Sequence, residues 1–281
     1  MNITPRTIST DWSRLPGGLT WYFIGQPKTG KTTASANWSS RGAEGVLLID
    51  TDGGAEFVDG ANVVTVTSLN APSKEIDGKD NEIIPPDERD YYYSTGSKMG
   101  KTMPVYSLFE VYAWLKRNWK ELGYETLVID TVDCVNDWIQ IAVCEELGID
   151  AMGQGQWGSD WGKAKRKNVD IVKRLQDLVK RYGCNLILIS HSKQTQMNDG
   201  KVQLSPELPR GLAYALCAKA DVIGYSTVDK DSSIPRVSFQ AYDERTVGSR
   251  LKPLTGKELE FSYKSITEEI TNYKGEEDDV T

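Results

Sequence analysis

Histidine and cysteine are the residue types that this sequence has least of, and its cysteines are not clustered. It contains a single histidine, His191, and four cysteines far apart along the chain, Cys134, Cys144, Cys184 and Cys217. Structural zinc sites use cysteines that are about two to four residues apart, often together with histidines. The observed spacing excludes a zinc finger or a histidine-based metal centre, so we expect free thiols in apolar surroundings.

Long apolar runs are also missing. A membrane-spanning helix needs about 20 consecutive apolar residues, and no segment of this chain approaches that length. Residues 1–6 lack the apolar stretch of a signal peptide. We therefore expect a soluble, cytoplasmic protein with no membrane partner. Its 39% of apolar residues is enough for one substantial core.

An excess of positive charge is absent as well. The chain has 33 basic and 40 acidic residues, which gives a net charge of −7. Whole-chain electrostatics therefore do not point to nucleic acid, but the charge is uneven. Residues 163–181 include eight basic and two acidic side chains, whereas 276–279 are all acidic. We expect one domain over residues 1–265 and a disordered acidic tail over 266–281.

What the sequence does contain is a phosphate-binding pattern. Residues 25–32 read GQPKTGKT, a full match to G-x-x-x-x-G-K-[ST], directly after the apolar run 19–24. A strand, this loop and a helix together point backbone N–H groups at a triphosphate. In this pattern Lys31 contacts the β- and γ-phosphates, and the Thr32 hydroxyl ligates Mg²⁺. An ordinary glycine-rich turn is the alternative interpretation.

ATP and Mg²⁺ are therefore the predicted cofactors. No Asn-Lys-x-Asp-like motif for reading a guanine base is present, which argues against a GTPase. The predicted nucleotide-binding residues are Gly25, Gln26, Pro27, Lys28, Thr29, Gly30, Lys31, Thr32 and Thr33.

Continuous apolar runs alternate with helical patterns along the chain. Runs at 45–50, 62–66, 126–130 and 185–190 are typical of buried parallel strands. We predict an α/β fold with a mostly parallel twisted sheet, helices on both faces and an antiparallel C-terminal edge. Residues 70–105 are rich in charge, Pro, Gly and Tyr, and we expect an insertion or loop there. Further expected elements are helices at 31–40, 108–122, 132–147, 163–182 and 210–219, a polar loop at 191–209, and strands at 221–227, 236–242 and 258–263.

Two carboxylate positions follow predicted strands. Asp130 ends the run Leu127–Ile129, as in a Walker B strand, and we predict that it holds Mg²⁺; capping of the next helix is the alternative. Asp133 is a weaker neighbour. Asp50 and Asp52 end the second strand on the same side, and Asp52 is the predicted catalytic base for the attacking water; solvated turn residues are the alternative.

The fourth strand ends in the polar residues Ser190, His191 and Ser192. A polar side chain there can bind the γ-phosphate and transmit its loss to the loop that follows. We predict His191 in this role, and an ordinary surface histidine is the alternative.

The order of these motifs resembles the RecA/RadA recombinase core. In that family an acidic Asp-Thr-Glu-Gly-like turn follows the second strand, and Asp50-Thr51-Asp52-Gly53 is similar, with Asp52 in place of the catalytic Glu. His191 stands where the family usually has a Gln sensor. The shorter carboxylate and the histidine are both departures. The similarity spans roughly residues 15–260 and implies a RecA-like P-loop NTPase.

The resemblance also implies an oligomer whose subunits complete one another's ATP sites. Residues 241–248 are similar to the Lys-x-Arg-x-Gly finger of hexameric RecA-type helicases, with Arg245 at the Arg position and Arg250 as the alternative. The minimal core is closest to phage-encoded RecA-like ATPases of single-strand annealing and recombination. Such a protein binds single-stranded DNA in the host cytoplasm, as a ring or filament, and can act with a single-strand-binding protein.

RecA-type proteins bind single strands through two loops, which here correspond to 150–163 and 193–210. Lysines and backbone N–H groups can contact phosphates, and an exposed Trp can stack on a base. The alternatives are tryptophans buried in the core and a solvated basic face of the helix at 163–181. The predicted DNA-binding residues are Trp157, Lys163, Lys193, Gln194, Lys201 and Arg210.

Two other functions compete with a DNA-stimulated ATPase. A small-molecule P-loop kinase needs a lid with several arginines, and segment 70–105 contains only Arg89. A non-catalytic nucleotide switch in a replication complex would show low turnover that DNA does not change.

Overall fold

A computed structural model describes residues 10–76, 80–89, 103–196, 202–241 and 246–274. Within these residues the chain forms thirteen strands and six α-helices. The strands are β1 Thr20–Gly25, β2 Val46–Asp50, β3 Asn62–Ser68, β4 Ser73–Ile76, β5 Asp80–Ile83, β6 Tyr106–Ser107, β7 Thr126–Asp130, β8 Asn185–Gln196, β9 Val202–Pro206, β10 Val222–Val228, β11 Pro235–Ser238, β12 Gly248–Ser249 and β13 Glu258–Glu260. The helices are α1 Lys31–Ser35, α2 Leu108–Leu122, α3 Val132–Leu147, α4 Ser159–Lys180, α5 Arg210–Cys217 and α6 Tyr263–Thr271.

Eleven of the strands form one mixed sheet. Seven of them are parallel, in the order β6-β3-β2-β7-β8-β1-β10. At the β10 edge β11, β12 and β13 add antiparallel strands. The predicted α/β fold, with a mostly parallel sheet and an antiparallel C-terminal edge, is confirmed. Strand β8 lies between β1 and β7, so the strand that leads into the phosphate loop and the strand that ends in the predicted Mg²⁺ carboxylate flank it on either side.

Two apolar clusters fill the two faces of the sheet. Side chains of β1 alternate between them: Trp21 and Phe23 pack with Trp38 on one face, while Tyr22 and Ile24 belong to the other. Helices α2 to α5 cover the Tyr22 face, and α6 contributes to the Trp21 face. The period-2 alternation of strands thus places helices on both sides of the sheet.

Local signals fix the central helices at their predicted ends. Ser107 and Glu110 form a reciprocal capping box at the start of α2, and Gly123 ends the helix in a left-handed conformation. Thr131 caps α3, and Gly148 ends it in the same way. These bounds agree with the predicted helices at 108–122 and 132–147.

Helix α1 is shorter than the expected helix at 31–40, because it ends at Ser35. The side chain of Asn37 donates a 2.9 Å hydrogen bond to the carbonyl oxygen of Thr33. Such a local side-chain contact competes with a continued helix. Trp38 is then fully buried against Trp21 and Phe23.

Part of segment 70–105 is regular, where we expected an insertion or loop. Strands β4 and β5 pair as an antiparallel hairpin. Arg89 is 7% exposed and binds both carboxylate oxygens of Glu110 at 2.7 and 2.9 Å, which ties this segment to α2. The rest of the segment, 77–79 and 90–102, lies outside the described residues.

The expected polar loop at 191–209 is a correction. Strand β8 continues to Gln196 and pairs with β9 as an antiparallel hairpin, with Ser192 opposite Pro206. Polar side chains concealed this strand, because a hairpin beyond the sheet edge has no apolar run.

The C-terminal region also differs from expectation. Helix α6 crosses the expected domain boundary at residue 265, and its Ile266 and Ile270 are fully buried. Residues 266–271 therefore pack in the fold, while 275–281 lie outside the described residues. Among the helices that the structure describes, none is both long and apolar enough to cross a membrane.

Candidate nucleotide site

Four parallel strands bring their carboxyl ends together at one edge of the sheet. Gly25 at the end of β1 pairs with His191 in β8, and Asp130 in β7 pairs with Asp50 in β2. The carboxyl edge of such a sheet is where ligands bind. Four of the predicted sites, at the P-loop, Asp130, Asp52 and His191, are therefore neighbours.

The loop between β1 and α1 contains positive φ angles and close backbone approaches that favour glycine. Gly30 has φ of 83°, and a Cβ there would lie 2.7 Å from Cγ of Pro235 in β11. A Cβ on Gly25 would lie 2.6 Å from the carbonyl oxygen of Ser226 in β10. Lys28 also has positive φ, at 64°. Only glycine fits the two close approaches, so β10 and β11 support the loop from outside.

Lys31 is folded inward. Its Nζ donates hydrogen bonds to the carbonyl oxygens of Gly25 at 3.0 Å and Gln26 at 2.8 Å. The residue is 5% exposed. Burial lowers the pKa of Lys31, and the carboxylates of Asp130, Asp133 and Asp52 act in the opposite direction.

Thr32 and Asp130 are joined directly, with Oγ1 of Thr32 donating to Oδ2 of Asp130 at 2.6 Å. Asp130 is 3% exposed, and burial raises its pKa to about 7 against the effect of this hydrogen bond. A buried carboxylate that ionises with difficulty has a strong need for a cation. Hydroxyl and carboxylate oxygens are the ligands that Mg²⁺ prefers.

Asp50 and Asp52 separate into different environments. Asp50 is 2% exposed and accepts hydrogen bonds from the N–H groups of Gly53 at 2.9 Å and Ala55 at 3.4 Å. Burial and the nearby Asp52 raise the pKa of Asp50 to about 6. Asp52 is exposed and accepts from the N–H of Gly54 at 3.0 Å. Asp50 thus holds the turn, while Asp52 is accessible to water, and its role as base stays a prediction.

Asp133, which the sequence marked only as a weak candidate, organises the end of β8. Its carboxylate accepts hydrogen bonds from the hydroxyl of Ser190 and from the N–H of His191, the latter at 2.6 Å. The Nδ1 atom of His191 lies 3.2 Å from Oδ2 of Asp133. The hydrogen bond with Asp133 raises the pKa of His191 above its usual value. The position of Asp133 in the first turn of α3, three residues after Asp130, is the sequence signal that could have identified this residue.

The P-loop is also tied to β8 through Gln26. Its Nε2 donates a 3.1 Å hydrogen bond to Oγ of Ser192, one residue beyond His191. The sequence placed both residues near the nucleotide but did not predict the contact, because it joins side chains 166 residues apart.

These donors fit a magnesium nucleotide. They supply one cationic side chain inside a backbone loop, and one hydroxyl and one buried carboxylate in contact for the metal. Within the described residues, no group of three or more His, Cys, Asp or Glu side chains could hold a metal by itself. This donor set matches a metal that keeps water and phosphate ligands, as Mg²⁺ does.

The predicted DNA-binding residues fall into two regions. Trp157 is fully exposed and Trp161 is 41% exposed, so neither belongs to the core. Lys163, in the second turn of α4, forms a 2.8 Å ion pair with Glu146. Other charges of the α4 face are also paired, as in Lys167 with Glu146.

The second region is built on the β8–β9 hairpin. The Nζ atom of Lys193 donates to the carbonyl oxygen of Leu208, and Gln194 and Arg210 are exposed. Lys193 and Arg210 line one groove. Lys201 lies outside the described residues.

Of the two arginine finger candidates, Arg245 lies outside the described residues. Arg250 binds Oδ1 of Asp221 at 2.9 Å and the carbonyl oxygen of Ala218 at 3.1 Å. Asp221 in turn accepts from the N–H of Thr20, at the amino end of β1. Arg250 therefore supports the edge of the sheet opposite the P-loop.

Comparison with known families gives one finding. A family model described as "AAA domain" matches residues 18–255, which is most of the chain. The match includes the P-loop, the four strand ends and the β8–β9 hairpin. No curated protein matches the chain.

Proposed function

This chain belongs to the AAA domain family, and on that premise we propose that it is a RecA-like ATPase that binds single-stranded DNA and promotes annealing or homologous recombination. The family assignment accounts for a P-loop domain that binds and hydrolyses a nucleoside triphosphate. The specific resemblance to phage recombination ATPases, and the DNA, belong to the proposal.

The chemistry assigns a role to each group at the carboxyl edge. Lys31 exchanges its two loop carbonyls for β- and γ-phosphate oxygens. Thr32 and Asp130 hold Mg²⁺, which neutralises phosphate charge when bound. Asp52, exposed beside them, accepts the proton of the attacking water.

His191 completes this arrangement as the phosphate sensor. Its ring is held through Nδ1 by Asp133, which orients the imidazole and favours its cationic form. A cation there binds the γ-phosphate before cleavage and loses that partner afterwards. The end of β8 thus responds to the state of the nucleotide.

The observation that carries the DNA part of the proposal is the continuity of β8. The same strand bears His191 and, two and three residues later, Lys193 and Gln194 on a hairpin that projects beyond the sheet. The bond from Gln26 to Ser192 adds a second connection between the P-loop and that hairpin. Nucleotide state and strand binding can therefore influence each other without an intervening flexible loop.

The proposal includes assembly. In a ring or filament of identical subunits, Arg245 of one subunit would complete the ATP site of the next. The bound strand would contact the six predicted DNA-binding residues, Trp157, Lys163, Lys193, Gln194, Lys201 and Arg210. A single-strand-binding protein is a further partner that such a function would require when the DNA is coated.

The testing experiment is ATP hydrolysis with and without single-stranded DNA, in wild type and Lys31→Ala. We expect stimulation by DNA in wild type and the loss of both basal and stimulated activity in the variant. Double-stranded DNA of the same sequence is the ligand control. If wild type hydrolyses ATP at the same rate without DNA, with single-stranded DNA and with double-stranded DNA, the recombination function is contradicted.

The two competing functions give different results in this experiment. Low turnover that is unaffected by DNA, with tight nucleotide binding, would favour a nucleotide switch. Release of ADP only in the presence of a small phosphate acceptor would favour a kinase.

A further inference from the structure

We infer that the groove between the β8–β9 hairpin and α5 is a binding site for single-stranded nucleic acid, in which Tyr214 stacks on a base and Arg210 and Lys193 hold the flanking phosphates. This inference rests on the proposed function and adds to it a defined path for the strand. Tyr214 is not among the DNA-binding residues predicted from the sequence.

The groove has a volume of about 290 Å³, and it is lined by two walls and by Thr246. One wall is the hairpin, where Lys193 pairs directly with Ser205, so that both side chains leave the same face of the ribbon. Gln203, two residues before Ser205, shares that face. The other wall is α5, where Arg210 and Tyr214 are four residues apart and therefore adjacent on the helix surface.

Tyr214 is 76% exposed, although it lies in a helix whose neighbouring residues are buried. Leu212, Leu216 and Cys217 pack into the core, which leaves Tyr214 on the outer face. A tyrosine there offers a ring face to solvent and makes no contribution to the core. Aromatic rings on exposed grooves are the usual stacking platforms for unpaired bases.

The charges of the groove complement a phosphate backbone. Lys193 uses one of its three N–H donors on the carbonyl oxygen of Leu208, which fixes the ammonium group and leaves two donors. Arg210 is exposed in the first turn of α5. Among the described residues, those that line the groove include no carboxylate, and Ser205 and Gln203 add neutral hydrogen-bonding groups. Cations, an aromatic ring and neutral donors together suit a strand with unpaired bases better than a folded protein surface.

The exposed position of the groove also fits this ligand. It lies on the hairpin that continues from the sensor residue His191, two residues before Lys193.

Arg181 and Tyr182, at the C-terminal end of α4 and the opposite end of the sheet, provide an exposed cation and an exposed aromatic ring of the same types. They are matched controls for Arg210 and Tyr214.

The test measures binding of two labelled oligonucleotides of equal length, one of thymidines and one abasic. The two ligands carry the same phosphates, but only the first can stack. We expect Tyr214→Ala to weaken binding of the thymidine strand about 5- to 150-fold and to leave the abasic strand unchanged. Tyr214→Phe should bind both strands like wild type.

Arg210→Ala should weaken both strands and reduce the slope of log affinity against log salt by about 0.7, as expected for one lost phosphate contact. Tyr182→Ala and Arg181→Ala should match wild type. If wild type binds the strand and Tyr214→Ala binds it equally well, or loses affinity for both ligands alike, the groove assignment is overturned while the proposed function stands. If wild type binds neither oligonucleotide, the groove assignment and the proposed function are both overturned. Displacement of the strand by polyglutamate at equal charge would instead assign the groove to an acidic peptide.

Discussion

Thr32 and Asp130 are 98 residues apart in the chain, yet the hydroxyl of one donates a 2.6 Å hydrogen bond to the carboxylate of the other. The contact joins the start of α1 to the end of β7 across β8. It positions both predicted Mg²⁺ ligands before the metal arrives, which lowers the reorganisation that metal binding requires.

Removal of either partner should reduce ATP hydrolysis strongly. Thr32→Ala and Asp130→Asn each delete a predicted metal ligand, and metal stabilisation of the transition state amounts to several kcal/mol. We expect kcat to fall at least about 100-fold, with a higher Mg²⁺ requirement in a titration of rate against metal. Thr271→Ala, on the exposed side of α6, is the matched control. A wild-type Mg²⁺ dependence in Asp130→Asn would mean that another group holds the metal.

Ser192→Ala removes the acceptor of the Gln26 side chain. If that hydrogen bond connects the P-loop with the hairpin, the ratio of DNA-stimulated to basal hydrolysis should fall by about 2- to 10-fold, as expected for one neutral hydrogen bond. The measurement is hydrolysis rate against DNA concentration. Ser68→Ala, at the other side of the sheet, should keep the wild-type ratio, and an unchanged ratio in Ser192→Ala would remove this contact from the coupling.

The contact between Asp133 and His191 predicts a pH-dependent stability. The raised pKa of His191 means that its interaction with Asp133 contributes fully below pH of about 6.5 and is lost as the pH rises through the folded pKa. We expect the difference in unfolding free energy between wild type and Asp133→Asn to shrink by about 1 kcal/mol from pH 6 to pH 9. Urea denaturation at several pH values measures it.

A constant difference in unfolding free energy between wild type and Asp133→Asn should remain at high pH. Asp133 also accepts hydrogen bonds from the hydroxyl of Ser190 and from the N–H of His191, and these do not depend on the charge of the imidazole. In a His191→Gln background the effect of Asp133→Asn should not depend on pH. The same pH dependence in that background would exclude the histidine as its cause.

The Arg89–Glu110 pair predicts a pH dependence of stability with the opposite sign, because its contribution is lost as the pH falls. The hydrogen bond from Arg89 lowers the pKa of Glu110 to about 2, so the pair contributes stability above pH of about 4.5 and loses it as the pH falls toward 2. Glu110→Gln keeps the α2 cap but removes the charge. We expect a loss of about 1–2 kcal/mol at pH 7, discounted for partial exposure of Glu110. Thermal or urea unfolding should show the wild type and variant converging in acid.

Helix α6 predicts that the fold extends past residue 265. Ile270 is fully buried, so Ile270→Ala should destabilise the protein by about 2–5 kcal/mol. Thr271→Ala, the exposed neighbour, should change stability by less than about 1 kcal/mol. Equal unfolding midpoints for Ile270→Ala and wild type would show that α6 is dispensable.

The sequence was sufficient for the elements with strong local signals. The apolar runs of β2, β7 and the first half of β8, and the capped helices α2 and α3, were predicted within a residue or two. The P-loop pattern also indicated where glycine is required, and the structure explains Gly30 through the close approach of Pro235. These features depend on neighbours in sequence or on a motif.

The features that the sequence did not reveal depend on distant residues. In the β8–β9 hairpin the second half of β8 is polar and β9 has no continuous apolar run, so the hairpin is established by the pairing of the two strands. The contacts of Asp133 with Ser190 and of Gln26 with Ser192 arise only once β8 lies beside β1 and β7. Helix α6 follows a short edge strand, and its only fully buried residues are Ile266 and Ile270.

The single uninterrupted strand β8 constrains how this part of the gene can change length. Side chains alternate along it, so His191 and Lys193 leave one face while Ser192 and Gln194 leave the other. One inserted codon between positions 191 and 194 would transfer every later side chain to the wrong face, whereas two inserted codons would restore the facing. Substitutions should therefore be tolerated in this stretch far more readily than single-residue insertions or deletions.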